Sequence, residues 1–310
     1  MYFSNYLKQC REESGLTQEQ LVHALYSFDI GHFRGLDTST LSKWERGITK
    51  PSLARQVSIL RYFQQLTGTA MPCWDKFSDK EAEEHICEAG MKNMLGRKSK
   101  ELVMRFPEKL AKNGDLIITQ LRNTEKLHEV AQINVDIDQA LNHKFKGLDE
   151  TDFKEWALYP TNTFYVSIYK GHFFGLLFAL RVKPEIFEKL MSFELRDKDL
   201  SNAHFATFDE PGCSYILSFF ALNEKSATLL FIRHYAHLIA NQNSILEVGF
   251  ATTLEDAKKL TRNMNYRYYK SISITGDIVL ESYRALLPDF LASEYVIKML
   301  LSGEDNCPEE

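Results

Sequence analysis

The 310-residue sequence predicts two folded parts of different class: an all-α N-terminal domain and a larger α/β domain with a mixed, mainly antiparallel sheet. Three observations point there. The first 66 residues place apolar side chains three and four apart, with helix caps and stops between the runs. From Gly114 onward, short apolar segments of two-residue period alternate with helical periods. Between them lies a charged stretch of helical character, residues 67–112, interrupted by Pro107.

In the N-terminal part, Leu7 and Ala24 lie on apolar faces, and Leu21, Leu41, Trp44, Val57, Leu60 and Phe63 continue the helical spacing. Thr17-Gln18-Glu19-Gln20 is a capping-box start, because Thr17 can accept from the amide three residues on while Gln20 reaches back. Asp37 ahead of Thr38-Ser39-Thr40 is a second N-cap, and Gly47 after Arg46 is a helix stop. Pro51 is expected to open a further helix from its first turn.

The connector begins with another capping box, Ser78-Asp79-Lys80-Glu81, leading a helix to about Met94. A second piece spans Lys98 to Lys112. Ile86, Met91 and Met94 form an apolar stripe that serves either as a dimerisation face or as packing against a neighbouring helix. The third region, 113–302, opens with a short strand from Leu116 to Thr119 and a helix over Thr124–Leu141. Thr163–Tyr169 and Phe173–Arg181 read as a hairpin turning at Lys170-Gly171. Strands are expected at Tyr215–Leu222, Ile245–Phe250 and Tyr266–Ile274, and helices at Ser226–Ala240 and Thr253–Asn263. Residues 277–302 read as helix bent or split at Pro288, and 303–310 as a disordered acidic tail.

Composition narrows the function classes. With 44% hydrophobic and 25% charged residues the chain is that of a globular protein. No apolar run approaches the roughly 18 residues of a membrane span, and the N-terminus lacks a secretory pattern. Five cysteines scattered without a C-x-x-C spacing fit a reducing, cytoplasmic setting and argue against a disulfide framework or structural zinc. The net charge of −5 is uneven. Residues 1–66 carry 8 Lys and Arg against 6 Asp and Glu, whereas residues 113–310 carry 20 against 28. A nucleic acid would therefore be met by the first part and repelled by the rest.

The stretch Leu16-Thr17-Gln18-Glu19-Gln20-Leu21, followed by Thr38-Ser39-Thr40-Leu41-Ser42-Lys43-Trp44-Glu45-Arg46-Gly47 and Pro51, resembles the Cro/C1-type (XRE) helix-turn-helix family. The residues support the chemistry on their own terms. A helix beginning with small polar residues can enter a major groove N-terminus first. Leu41 and Trp44 would brace its back, leaving Ser39, Ser42, Lys43 and Arg46 outward. The resemblance implies that Gln18 contacts a phosphate, that Thr38, Ser39 and Lys43 face base edges, and that Lys50 neutralises backbone. It also implies a structural ion pair between Arg11 and Glu45 that ties the first helix to the recognition helix. One departure is the aromatic-rich link from Ser27 to Leu36, longer than the family's turn and read as a surface loop; the alternative is a wider footprint with Arg34 on a phosphate.

The element order from Leu116 to Ile274, and the segment Ile245-Leu246-Glu247-Val248-Gly249-Phe250 with the helix and tyrosines after it, resemble the GNAT-type N-acetyltransferase fold. Catalytic members of that family hold a pyrophosphate on the backbone amides of a glycine-rich loop opening a helix. Here the matching segment, Asn223 to Leu230, has no glycine, and Glu224 would oppose a phosphate. Thr261 stands where a general-acid tyrosine often lies, and its hydroxyl is too weakly acidic for that role. Thr261→Phe is accordingly expected to leave DNA binding and any measurable activity unaffected. These departures imply a fold kept without acetyl transfer, with no catalytic residue, metal or obligate cofactor, serving ligand sensing or assembly. Lys225, Ser226 and Thr228 would hold a ligand in a substituted cradle, and Phe219 would line an apolar cleft suited to an acyl or acyl-CoA-like molecule.

Two weaker signals read as structural: His234-x-x-His237, which lacks further metal ligands nearby, and Cys213 before an apolar strand. The aromatic set Phe164, Tyr165, Tyr169, Phe173, Phe174, Phe178, Phe219 and Phe220 reads mainly as core. The expectation is a cytoplasmic transcriptional regulator that binds a double-stranded DNA operator as a homodimer, with a small-molecule effector at the second domain and no membrane contact. The alternatives are an N-acyltransferase carrying a DNA-targeting module, and an antitoxin-like interaction module.

Overall fold

The structure, a computed structural model, describes residues 2–83, 85, 86, 116–122, 130, 132, 150–275 and 278–301. The expected second connector helix, the helix at 124–141 apart from residues 130 and 132, and the acidic tail lie outside these residues, as do Met91 and Met94. The chain divides into two compact units. One draws on 1–97, 235–243 and 288–310, the other on 98–234 and 244–287.

The helical unit starts with α1 (Phe3–Glu13), whose Phe3, Tyr6, Leu7 and Cys10 are buried at the spacing of one helix face. Thr17 opens α2 (Gln18–Phe28) by the expected box: its hydroxyl accepts from the Gln20 amide at 3.1 Å, and Gln20 Oε1 accepts from the Thr17 amide at 2.8 Å. The link read as a surface loop instead contains a helical turn, α3 (Ile30–Phe33), capped by Asp29 and anchored by a fully buried Phe33. Burying one phenylalanine is worth roughly 1.5–3 kcal/mol and offsets part of the cost of ordering the segment. Asp37 caps α4 (Thr38–Glu45), which ends at Gly47 with φ +70°. In α5 (Leu53–Thr67) the cap is Ser52 rather than the expected start at Pro51; Pro51 precedes the cap, and its carbonyl accepts from Gln56 at 2.9 Å.

These helices do not close their own core. Met71 exchanges both main-chain hydrogen bonds with the side chain of Gln242, and Gln64 Nε2 donates to the carbonyls of Ala70 and Pro288. Arg61 faces Asp289 at 3.7 Å, and the Tyr235 and Phe290 rings meet at 5.5 Å. The last turns of α8 (Glu224–Ala240), together with the helices Leu287–Leu291 and Glu294–Leu301, thus belong to the helical unit.

The other unit is α/β, as expected. Its seven strands are β1 (Leu116–Gln120), β2 (Thr163–Tyr169), β3 (His172–Val182), β4 (Gly212–Ala221), β5 (Ile245–Thr252), β6 (Arg267–Thr275) and β7 (Ile278–Leu286). They pair in the order β1-β2-β3-β4-β5-β7-β6, antiparallel except for the parallel pair β4–β5. The β2–β3 hairpin turns where expected, with φ +48° at Lys170 and +82° at Gly171, the signs a tight two-residue hairpin requires. Residues 278–286 correct the helical expectation for 277–302. β7 lies between β5 and β6, and its polar Glu281, Ser282 and Arg284 interrupt the apolar residues so that no clean two-residue alternation marks it as a strand.

Strand alternation divides the core. Phe164, Phe178, Leu180 and Leu217 pack on one face with α6 (Glu150–Leu158) and α7 (Pro184–Met191), where Trp156, Phe187 and Met191 are buried. Tyr165, Leu177 and Ala179 point to the other face, against Ala227 and Leu230 of α8. Phe164 and Phe178 stack at 4.3 Å.

Candidate functional site

The helix α4 has two chemically opposite faces. Leu41, Trp44 and Glu45 are buried, while Thr38, Ser39, Lys43 and Arg46, with Lys50 beyond the helix, are exposed. Ser42 is half-buried. Asp37 fixes the helix start through a 2.6 Å bond from the Thr40 amide, which holds its carboxyl below the usual range, with Lys43 adding a smaller attraction. Arg46 Nε donates back to the Ser42 carbonyl at 3.3 Å, leaving the rest of its guanidinium at the surface.

The inner face is held by ions. Arg11 Nε meets Glu45 Oε1 at 2.6 Å and Nη2 meets Oε2 at 3.1 Å, a bidentate fork, while Nη1 donates to the Leu16 carbonyl at 2.9 Å. Hydrogen bonding to Glu45 holds the Arg11 guanidinium above its ordinary range. Gln18, expected at a phosphate, donates its amide to Glu45 Oε2 at 2.8 Å and so belongs to this network. Sequence reasoning missed two further contributors. Arg55 lies over the Trp44 ring at 5.6 Å and donates to the His32 carbonyl; Asp29 accepts from Ser58 at 2.7 Å. Their spacings, 23 and 29 residues, leave no local signature.

In the α/β unit, β4 and β5 pair from Gly212–Ile245 to Ile216–Phe250 and then part. Beyond that point β4 continues with β3 and β5 with β7. Burial changes at the same place: Ser218, Phe219 and Phe220 are half-buried where the earlier strand residues are mostly buried. Beyond this splay Phe219 packs against Phe231 at 4.7 Å. At the start of α8, Asn223 Oδ1 accepts from the Ser226 amide at 2.7 Å. The Ser226 hydroxyl donates to the Phe174 carbonyl and the Thr228 hydroxyl to the Glu224 carbonyl, and both side chains are buried. Lys225 is half-buried.

A separate cavity of about 160 Å³ is lined by Leu190, Leu195, Ile272 and Leu280 with Tyr215 and Asp197, whose side chains bond at 2.9 Å. That is the scale of an engineered apolar cavity able to hold benzene. Thr261 is 3% exposed and donates to the Lys258 carbonyl at 2.6 Å. A phenyl ring at this buried position would overpack the core, so Thr261→Phe carries a stability cost apart from any effect on binding or activity. Burial pushes the Cys213 thiol up to about 12, which leaves it unreactive. His234 is buried, and His237 Nδ1 lies 2.9 Å from Asp79 Oδ2. Among the described residues no group of three or more His, Cys, Asp or Glu is placed to hold a metal, and no helix is long and apolar enough to cross a membrane.

No protein-family model matches the sequence, and no curated protein matches it. Solved structures similar to the chain include FeeM, an N-acyl amino acid synthase from uncultured soil microbes, at 11% identity and TM-score 0.40 over 57% of this chain and 94% of that one. An acetyltransferase from Streptococcus agalactiae is similar at 13% identity and TM-score 0.37, over 56% and 99%. An agmatine N-acetyltransferase is similar at 10% and 0.38, over 56% and 100%. The α/β unit carries a mixed, mainly antiparallel sheet whose strands β4 and β5 form its parallel pair.

Proposed function

We propose that the protein is a sequence-specific DNA-binding regulator. Its N-terminal helices act as an XRE-type helix-turn-helix, and its α/β unit senses a small molecule or mediates assembly without acyl transfer. The observation that carries this reading is the division of α4 into a buried Leu41–Trp44–Glu45 side and an exposed side of Thr38, Ser39 and Lys43. Short polar side chains at the start of a helix let its backbone approach base edges, which Lys43 would also face, and the cations Arg46 and Lys50 are placed for flanking phosphates. One such helix makes few contacts, so the reading includes a homodimer on a two-fold-related operator, working in the cytoplasm.

The test is selection of bound fragments from genomic DNA by the full chain, followed by affinity measurement across salt concentrations. Lys50→Ala should weaken binding to all fragments and lower the slope of log K against log salt by about 1, and Lys43→Ala should weaken the selected site most. Ser39→Ala should weaken the selected site alone. Absence of a salt-sensitive preference for any fragment overturns the proposal.

The splay at β4–β5 supports a second reading, an N-acyltransferase with a DNA-targeting module. Three features favour sensing over transfer: the glycine-free start of α8, the Ser226 amide already satisfied by Asn223, and the buried Thr261. Thermal-shift titration with acetyl-CoA and longer acyl-CoAs separates the two. Stabilisation with turnover supports the enzyme, stabilisation alone a sensor, and no response an assembly domain.

A further inference from the structure

Two cysteines that are 63 positions apart in the chain meet inside the helical unit. Cys10 is fully buried on the inner face of α1, and Cys73 is half-buried a few residues past the end of α5. Their sulfurs stand 2.9 Å apart as free thiols, with Cys73 donating to Cys10 and Cys10 directed at the Pro72 carbonyl. That separation is shorter than two unbonded sulfurs prefer, and less than 1 Å beyond the roughly 2.05 Å of a disulfide.

The backbone holds the pair there. Cys73 has φ +69°, a left-handed conformation uncommon for a residue with a side chain. On its C-terminal side Trp74 is fully buried, edge-on to Tyr6 of α1 at 6.1 Å and stacked on Phe77 at 5.7 Å. On its N-terminal side Met71 is pinned by Gln242. The segment is thus anchored on both sides of Cys73 and aims its sulfur at α1.

We infer that Cys10 and Cys73 form a reversible disulfide site whose co-substrate is a low-molecular-weight disulfide of the glutathione class. The half-buried Cys73, once it has lost its proton to solvent, attacks one sulfur of the small disulfide. A mixed disulfide forms and one small thiol leaves. Cys10, deprotonated in turn, attacks the Cys73 sulfur and expels the second small thiol. The two S–H bonds of the protein become one S–S bond, and the small disulfide is reduced to two thiols. Its hydrogen bond to Cys10, together with burial, pushes the Cys73 thiol well above the ordinary range, so exchange is slow near neutrality and accelerates with pH. The closed loop spans α1 to α5 and therefore constrains the whole of α4's support.

The inference does not depend on the DNA-binding proposal. The full chain, incubated with oxidised glutathione, should lose two hydrogens in intact mass. A non-reducing peptide map should join the Cys10 and Cys73 peptides, and reduced glutathione in excess should reverse both changes. The oxidised chain should melt several degrees above the reduced one. Cys73→Ser, at a half-buried position that tolerates a hydroxyl, should abolish the cross-link, whereas Cys213→Ser should leave it intact. A chain that keeps its reduced mass, stops at a glutathione adduct on Cys73, or links other cysteines overturns the inference.

Discussion

Replacing Arg11 by Met tests how α4 is held. The change removes a bidentate fork at 2.6 and 3.1 Å from Glu45, whose side chain is 4% exposed, and leaves that carboxylate with Gln18 at 2.8 Å. An unpaired buried charge of this kind costs about 3–5 kcal/mol. The reverse change, Glu45→Met, should cost less. Arg11 is 13% exposed, keeps its bond to the Leu16 carbonyl and has Glu12 at 3.3 Å, so the loss is about 1.5–3 kcal/mol. The double replacement removes both charges and fills similar volume, and should return to within about 1 kcal/mol of the parent. Urea unfolding of the full chain gives the magnitudes. Amide exchange in peptides covering α1 and α4 assigns them to the helical unit. Single replacements that each cost under about 1 kcal/mol, or a double whose cost is the sum of the singles, would refute the reasoning.

Other outcomes follow from single contacts. Gly249→Ala would set a methyl 2.7 Å from Phe187 Cζ and 3.0 Å from Met191 Sδ, and should cost about 1–3 kcal/mol by urea unfolding. Thr261→Phe should lower the melting temperature of the α/β unit, while Thr261→Val should change it little, because only the bond to the Lys258 carbonyl is lost. In acid, Glu188 is held below the usual carboxylate range by Tyr269 and Arg284, and Glu281 by Tyr283 and Lys258. A depressed folded-state value contributes stability present above the unfolded value of about 4.3 and lost as pH falls through the lower folded one. Glu188→Gln should therefore flatten that limb of the stability-against-pH curve.

What could be read in the sequence is what neighbours in the chain decide. Thr17 with Gln20, Asp37 before Thr38, and the Lys170-Gly171 turn each place donor, acceptor or backbone freedom within four residues of its effect, and each element starts or turns there. The aromatic strands were legible for the same reason, since Phe164, Tyr165 and Val166 alternate between two faces that are both covered. β7 was not, because Glu281, Ser282 and Arg284 break the two-residue alternation that separates a strand from a helix. The link containing α3 failed differently. Its composition is that of a loop, and it is the depth of the site receiving Phe33 that orders it.

The helical unit shows why these limits bear on function. Local signals end at Gly68, with φ +72° at the end of α5, and suggest a domain that stops there. Yet Gln64 donates to Pro288, Met71 pairs with Gln242, and Arg61 faces Asp289, partners more than 170 positions away. No pattern within a window of 18 residues can encode such partners, because each is a polar or small residue ordinary in its own neighbourhood. The exposed side of α4 therefore depends on two distances at once: the 2.6 Å fork that fixes its inner face, and a core completed by the far end of the chain. A substitution at Gln242 strips the Met71 amide and carbonyl of their partners, at about 1–3 kcal/mol for each group left buried. It thereby perturbs the presentation of Ser39 and Lys43 without touching the helix that carries them.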